Sequence, residues 1–232
     1  MVYHHPRRVL MEIKDKIPSD PIASLYLVDA YMRWALLAAE EVVGKQGLTV
    51  LLRERGLERF IDNYPPELLK ISGGITLGDY AQLCAGLLTF FGRAGKSMVI
   101  RCGRLTSKYA IEKQSSVYNV AAKTAAKLMP SGMQVKLVLD SMANGYNKLY
   151  AESGQELHFS VEDRGNKWAF ISVECPLCAG KTADLPMCWG RIGTLKEGLV
   201  WLTGKEFDVE EVECRAVGAS ACLWEVSKTP KE

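Results

Sequence analysis

The chain has 232 residues, of which 48% are hydrophobic and 24% charged, with a formal net charge of +2. That is an ordinary globular composition, enough for one sizeable domain or a domain with an extension. Acids and bases are interspersed, and the one basic cluster, His4-His5-Pro6-Arg7-Arg8, is too short to make a nucleic-acid surface, so no nucleic acid is expected as a partner.

The longest uncharged helix-like run, Tyr80 to Gly92, falls well short of the ~20 residues that span a bilayer. No charged-then-apolar leader with a small-residue cleavage site is visible. The expectation is a cytoplasmic protein without a transmembrane segment. Thiols stay reduced there, so clustered cysteines favour metal or redox chemistry over disulfides.

Residues 1–18 are polar and mixed and read as an arm. Ser19-Asp20-Pro21 reads as a cap with proline in the first turn of a helix that Gly44 ends. Leu27, Tyr31, Trp34, Ala38 and Val42 form its apolar face, and Ala35, Leu36, Leu37 and Ala39 widen it. A shorter helix follows from Gln46 to Arg55, another begins at Leu57, and Tyr64-Pro65-Pro66 breaks the chain. Thr76-Leu77-Gly78-Asp79 caps a long apolar helix running to Phe90. Further helices are expected over Gly103–Lys113, Val117–Met129 and Met133–Ala151.

After Glu152 the pattern alternates. Glu156–Glu162 and Lys167–Glu174 read as a hairpin turning at Asp163-Arg164-Gly165-Asn166. Pro186–Thr203 reads as a helix ended by Gly204, followed by strands at Phe207–Glu213 and Ala221–Ser227. The expected fold is α+β: helices first, then β-β-α-β-β, packed on one small antiparallel sheet.

Two glycine signals fail. Gly92-Arg93-Ala94-Gly95-Lys96-Ser97 lacks the first glycine of a phosphate-binding loop, which would stand at Phe90, and a helix precedes it where a strand is needed. No G-x-G-x-x-G occurs, and Gly190-x-x-Gly193 does not replace it, so no dinucleotide site is expected.

Five of the seven cysteines fall between positions 175 and 222. Cys188, Glu211, Cys214 and Cys222, spaced C-x22-E-x2-C-x7-C, can make a closed tetrahedral Zn²⁺ site. Cys188 would open a helix, whose positive end favours a thiolate. Strand parity alone leaves Glu210 and Glu213 open as replacements for Glu211. Cys175-Pro176-Leu177-Cys178 reads as a redox pair, further metal ligands or a strand end, and five thiolates also leave an iron–sulfur cluster open as the alternative cofactor. Cys84 and Cys102 sit in apolar helical surroundings and read as packed.

Glu211-x-x-Cys214-x-Ala216-x-Gly218-x-x-x-Cys222-x-Trp224, preceded by Cys188-Trp189-Gly190, resembles the 4-vinyl reductase domain. The same spacing is similar to the zinc site in sensory domains of phenol-responsive regulators. The resemblance is also to vesicle-tethering subunits of the same fold. It implies an arm with a packing or dimerisation helix over residues 1–45 and a ligand-binding domain over 46–232. It further implies a homodimer enclosing a small hydrophobic molecule, with Tyr146, Tyr150, His158 and Trp168 as candidate pocket residues. A tetrapyrrole carrier or accessory protein of (bacterio)chlorophyll metabolism follows most directly. A reductase of the 4-vinyl group would need electrons from a partner or a cluster, since no dinucleotide fold is visible. A stand-alone sensor or scaffold acting through a separate partner is the remaining alternative.

Overall fold

The computed structural model describes residues 11–16, 20–113 and 128–231. Inside the stretch read as an arm lies a short strand, β1 (Ile13–Asp15). Asp20 does cap a helix, but only a 3-10 turn at Pro21–Ser24. The chain is then held extended, with the Leu27 N–H donating to Ile75 O at 2.9 Å and the Leu77 N–H to Leu25 O at 2.7 Å. That pairing delays the first long helix, α1 (Asp29–Glu54), past the point where the proline signal placed it. Gly44, at φ +74°, breaks α1 where the sequence expects a stop.

The helix expected from Leu57 is only a 3-10 turn, Glu58–Phe60. Thr76 and Asp79 cap one another and open α2 (Leu77–Phe90), with Asp79 N donating to Thr76 Oγ1 at 3.1 Å and Thr76 N to Asp79 Oδ2 at 2.7 Å. The phosphate-loop look-alike is a tight corner between helices: a Cβ at Gly95 would stand 2.4 Å from Leu88 O. Helix α3 (Gly95–Lys113) therefore starts earlier than expected. The helix expected over Val117–Met129 lies almost wholly outside the described residues. Helix α4 (Ser131–Glu152) follows.

The hairpin is as expected: β2 (Phe159–Arg164) and β3 (Lys167–Ser172) pair antiparallel across Gly165, at φ +73°. A short β4 (Lys181–Ala183), not expected from sequence, pairs with β1 as a separate two-stranded sheet. Helix α5 (Trp189–Thr203) ends on left-handed Gly204 and leads to β5 (Phe207–Glu213) and β6 (Cys222–Pro230). The main sheet is antiparallel in the order β2-β3-β6-β5. The α+β class and the β-β-α-β-β frame of this sheet hold, with β4 as an insertion.

What positions the site is the crossing of α3 and α5. A Cβ at Gly103 would lie 2.0 Å from Gly190 O, and one at Gly193 2.1 Å from Ile100 O. The two backbones are in contact, which only glycine permits. Gly190 and Gly193 thus serve helix packing rather than phosphate binding. The N-terminal helix and the sheet feed one hydrophobic cluster that includes Trp34, Leu36, Phe170 and Trp224. Among the described residues no helix is long and apolar enough to cross a membrane.

Candidate metal centre and ligand cavity

The metal centre is assembled from three element ends. After β3 the chain enters a 3-10 turn, Pro176–Cys178, which buries Cys175 and Cys178 on the same side. Cys188 is the cap residue at the start of α5. Glu211 lies late in β5 opposite Trp224, and Cys222 opens β6. Between Glu211 and Glu213 the register of β5 shifts against β6, so that an extra residue is accommodated. The shift lets Glu211 and Cys214, which are of opposite parity, both turn inward. Glu210 and Glu213 stay exposed, so Glu211 alone of the three acids joins the cluster.

Five sulfurs and one carboxylate converge. Sγ–Sγ distances are 3.6 Å for Cys175–Cys188, 3.5 Å for Cys178–Cys222, 3.7 Å for Cys188–Cys222 and 3.8 Å for Cys188–Cys214. A disulfide would need about 2.05 Å, and all seven cysteines are free. Four thiolates around one ion at about 2.3 Å stand about 3.8 Å apart along a tetrahedral edge, the spacing seen. A cubane iron–sulfur cluster gives each thiolate its own iron and spreads the sulfurs much further. Two sets have their donor atoms within 4.8 Å of one another: Cys175, Cys178, Cys188 and Cys222, and Cys188, Glu211, Cys214 and Cys222.

Both oxygens of Glu211 are buried without a hydrogen-bond partner. Burial, and then the neighbouring Cys214, push its carboxyl from 4.5 up to about 10. Burial likewise pushes the Cys188 and Cys222 thiols up. Without a cation the site thus favours protonated donors, and a bound cation reverses that preference by stabilising the charged forms. The Arg215 backbone N–H donates to Cys222 Sγ at 3.3 Å. The site can therefore hold a metal ion, and its donor set suits zinc.

Next to the centre lies a cavity of about 740 Å³, bounded by helices α1 to α5 and the start of the hairpin. That is ample for a sizeable organic ligand, since such pockets run to ~300–1,000 Å³. Tyr146 and Tyr150 on α4 line it, together with Tyr31 and Trp34 of α1 and Phe159. His158 and Trp168 do not. His158 Nδ1 stands 3.2 Å from Glu174 Oε2 with its side chain 63% exposed. Trp168 donates its indole N–H to Gly132 O at 2.8 Å, under Lys228 Nζ at 4.1 Å from the ring centroid.

The residue that sequence reasoning missed is Arg191. It is 6% exposed, one turn into α5 and therefore one turn beyond Cys188. Its Nη1 donates to Tyr146 Oη at 2.9 Å, and its guanidinium carbon lies 4.9 Å from the Tyr146 ring and 5.6 Å from that of Phe170. No carboxylate among the described residues pairs with it, and its Nε has no partner. An arginine on the buried face of an otherwise apolar helix was the available signal. Pro176 and Leu177 line the cavity while Cys175 and Cys178 enter the centre, so one short turn forms part of both.

Cys84 and Cys102 also line the cavity, and burial pushes both thiols up, Cys102 to about 12. They are neutral wall residues.

No curated protein matches the chain by sequence. Among solved structures, a mutant H-NOX protein of T. Tengcongensis aligns at a TM-score of 0.59 and 15% identity, covering 89% of this chain and 100% of that one. A structure from work probing heme distortion in the H-NOX family gives a TM-score of 0.59 at 15% identity, covering 89% and 97%. An S. oneidensis H-NOX in the Fe(II)NO state gives 0.50 at 14%, covering 86% and 99%. At such identities the likeness is one of fold. Residues 168–228 match the model of the 4-vinyl reductase domain family, a segment containing Cys175, Cys178, Cys188, Glu211, Cys214 and Cys222. The chain therefore carries a 4-vinyl reductase domain over residues 168–228, set within an H-NOX-like fold.

Proposed function

We propose that the chain is a binding module for a hydrophobic, tetrapyrrole-class ligand with an acidic substituent, acting as a carrier or accessory protein. Zn²⁺ at Cys188, Glu211, Cys214 and Cys222 would pin the start of α5 to the sheet beside the cavity. The observation that carries this reading is Arg191: a buried cation without an acidic partner among the described residues, in the wall of a 740 Å³ aromatic-rich cavity. A buried charge without a counter-ion is costly, and a carboxylate on the ligand would supply one.

The family match and the haem named for the H-NOX structures support a tetrapyrrole. Among the described residues the wall contains no histidine, and its two cysteines are neutral thiols. Neither residue type therefore offers an axial ligand for haem iron. Packing and Arg191 would hold the ligand instead, which favours a pigment not bound through iron. Fluorescence titration tests this with protoporphyrin IX and its dimethyl ester. The free acid should bind at least ~10-fold more tightly, the ratio worth about 1.4 kcal/mol. In the Arg191→Met variant that preference should vanish. Equal affinity for acid and ester in the native chain would defeat the reading.

A further inference from the structure

The two four-donor sets share two members, Cys188 and Cys222, and divide the remaining four donors into complete pairs. Cys175 and Cys178 come from the turn after β3, and Glu211 and Cys214 from the end of β5. Each set is sufficient for one tetrahedral ion. A single ion at Cys188, Glu211, Cys214 and Cys222 would leave Cys175 and Cys178 as buried thiols, 3.6 Å and 3.5 Å from sulfurs already engaged. A single ion at the other set would strand the Glu211 carboxylate, both of whose oxygens lack partners.

We infer that the centre holds two divalent ions, with Cys188 and Cys222 as bridging thiolates between two edge-sharing tetrahedra. One ion takes Cys175 and Cys178 as its terminal ligands, and the other takes Glu211 and Cys214. This rests on the metal reading above and extends it to a second ion. A thiolate has several lone pairs and can serve two soft or borderline cations at once. The Cys188–Cys222 separation of 3.7 Å is the length of one tetrahedral edge, which both ions would use in common.

The charges agree. Five thiolates and a carboxylate carry six negative charges, so two divalent ions leave an excess of two. One ion facing the same fully ionised set would leave four, which a buried site cannot sustain without protonating two donors. The C-x-x-C pair, which the four-ligand zinc pattern leaves unused, thereby acquires a role. It anchors the turn that carries Pro176 and Leu177 into the cavity wall.

Native mass spectrometry of the full chain as purified, followed by cobalt titration of the metal-free protein under electron paramagnetic resonance, tests the inference. Two ions per chain are expected. The first equivalent of Co²⁺ should give a full high-spin signal, and the second should lower the spin per cobalt, because bridging thiolates couple the two centres magnetically. Saturation at one ion would overturn the two-ion inference while leaving the single-ion reading intact. Two ions with additive spins would also overturn it, since no bridge would exist. Retention of no ion, or an iron–sulfur spectrum, would overturn both readings. Cys175→Ser/Cys178→Ser should drop the count from two to one in a chain that keeps its circular dichroism, and an unchanged count in that folded variant would contradict the assignment.

Discussion

At the scale of single residues, the site depends on one irregularity in β5. Alternation puts Phe207, Val209 and Glu211 inside, and would put Glu213 there as well. The register shift after Glu211 leaves Glu213 exposed and turns Cys214 inward instead. Parity therefore cannot choose among the three acids from sequence, whereas the three cysteine positions are readable from spacing. Arg191 is not readable as a site residue, because its role depends on aromatic rings from three different elements.

Thiol accessibility to alkylation follows from the same geometry. With metal bound, the five clustered sulfurs should resist iodoacetamide at neutral pH. Chelation should release five modifiable cysteines, read as five added masses. Cys84 and Cys102 should stay unmodified in the native chain and show no rise in rate between pH 7 and 9. Burial holds Cys102 as a thiol up to about pH 12, so this range generates almost no thiolate. Modification of all seven under native conditions would contradict the packing described.

At the scale of elements, most of the fold is legible in local signals. The Thr76–Asp79 capping box, the stop at Gly44, the hairpin turn at Gly165 and the left-handed Gly204 each place an element end. Where local signals mislead, tertiary contacts override local chemistry. Pairing of Leu25 and Leu27 with the chain around Ile75 delays α1, and β4 exists only because β1 pairs with it. Neither partner is visible from a local window.

The glycines of the α3–α5 crossing say from sequence only what they are not, a phosphate or dinucleotide loop. Gly103→Val should destabilise the chain by about 3 kcal/mol or more, because the added carbon has a backbone carbonyl in its place. By contrast, a Cβ at Gly145 in α4 meets nothing within 4 Å. Gly145→Ala should therefore stabilise by up to about 1 kcal/mol through helix propensity alone. Denaturant unfolding of both variants checks the pair. A Gly103→Val chain as stable as the native one would remove the close crossing that sets the position of α5.

At the scale of the whole molecule, α5 joins two sites. Its cap residue Cys188 belongs to the metal centre, and Arg191, one turn later, belongs to the cavity wall. Its glycines fix it to α3, so the helix has little freedom to adjust at one end alone. Metal removal should then affect both: a lower melting temperature, and ligand affinity reduced by at least ~10-fold, since a loosened α5 misplaces Arg191. Chelation that lowers the melting temperature yet leaves affinity unchanged would separate the two sites.

The central claim is that the cavity beside the metal centre is where this chain binds its ligand. Equilibrium titration of protoporphyrin IX against the native chain and an Ala35→Trp variant tests it, because Ala35 lines the cavity and a tryptophan there would occupy it. The variant's metal content and circular dichroism should match the native values. The account expects saturable one-to-one binding by the native chain and at least ~10-fold weaker binding by the filled variant. Equal binding by both, or none by the native chain, would contradict it.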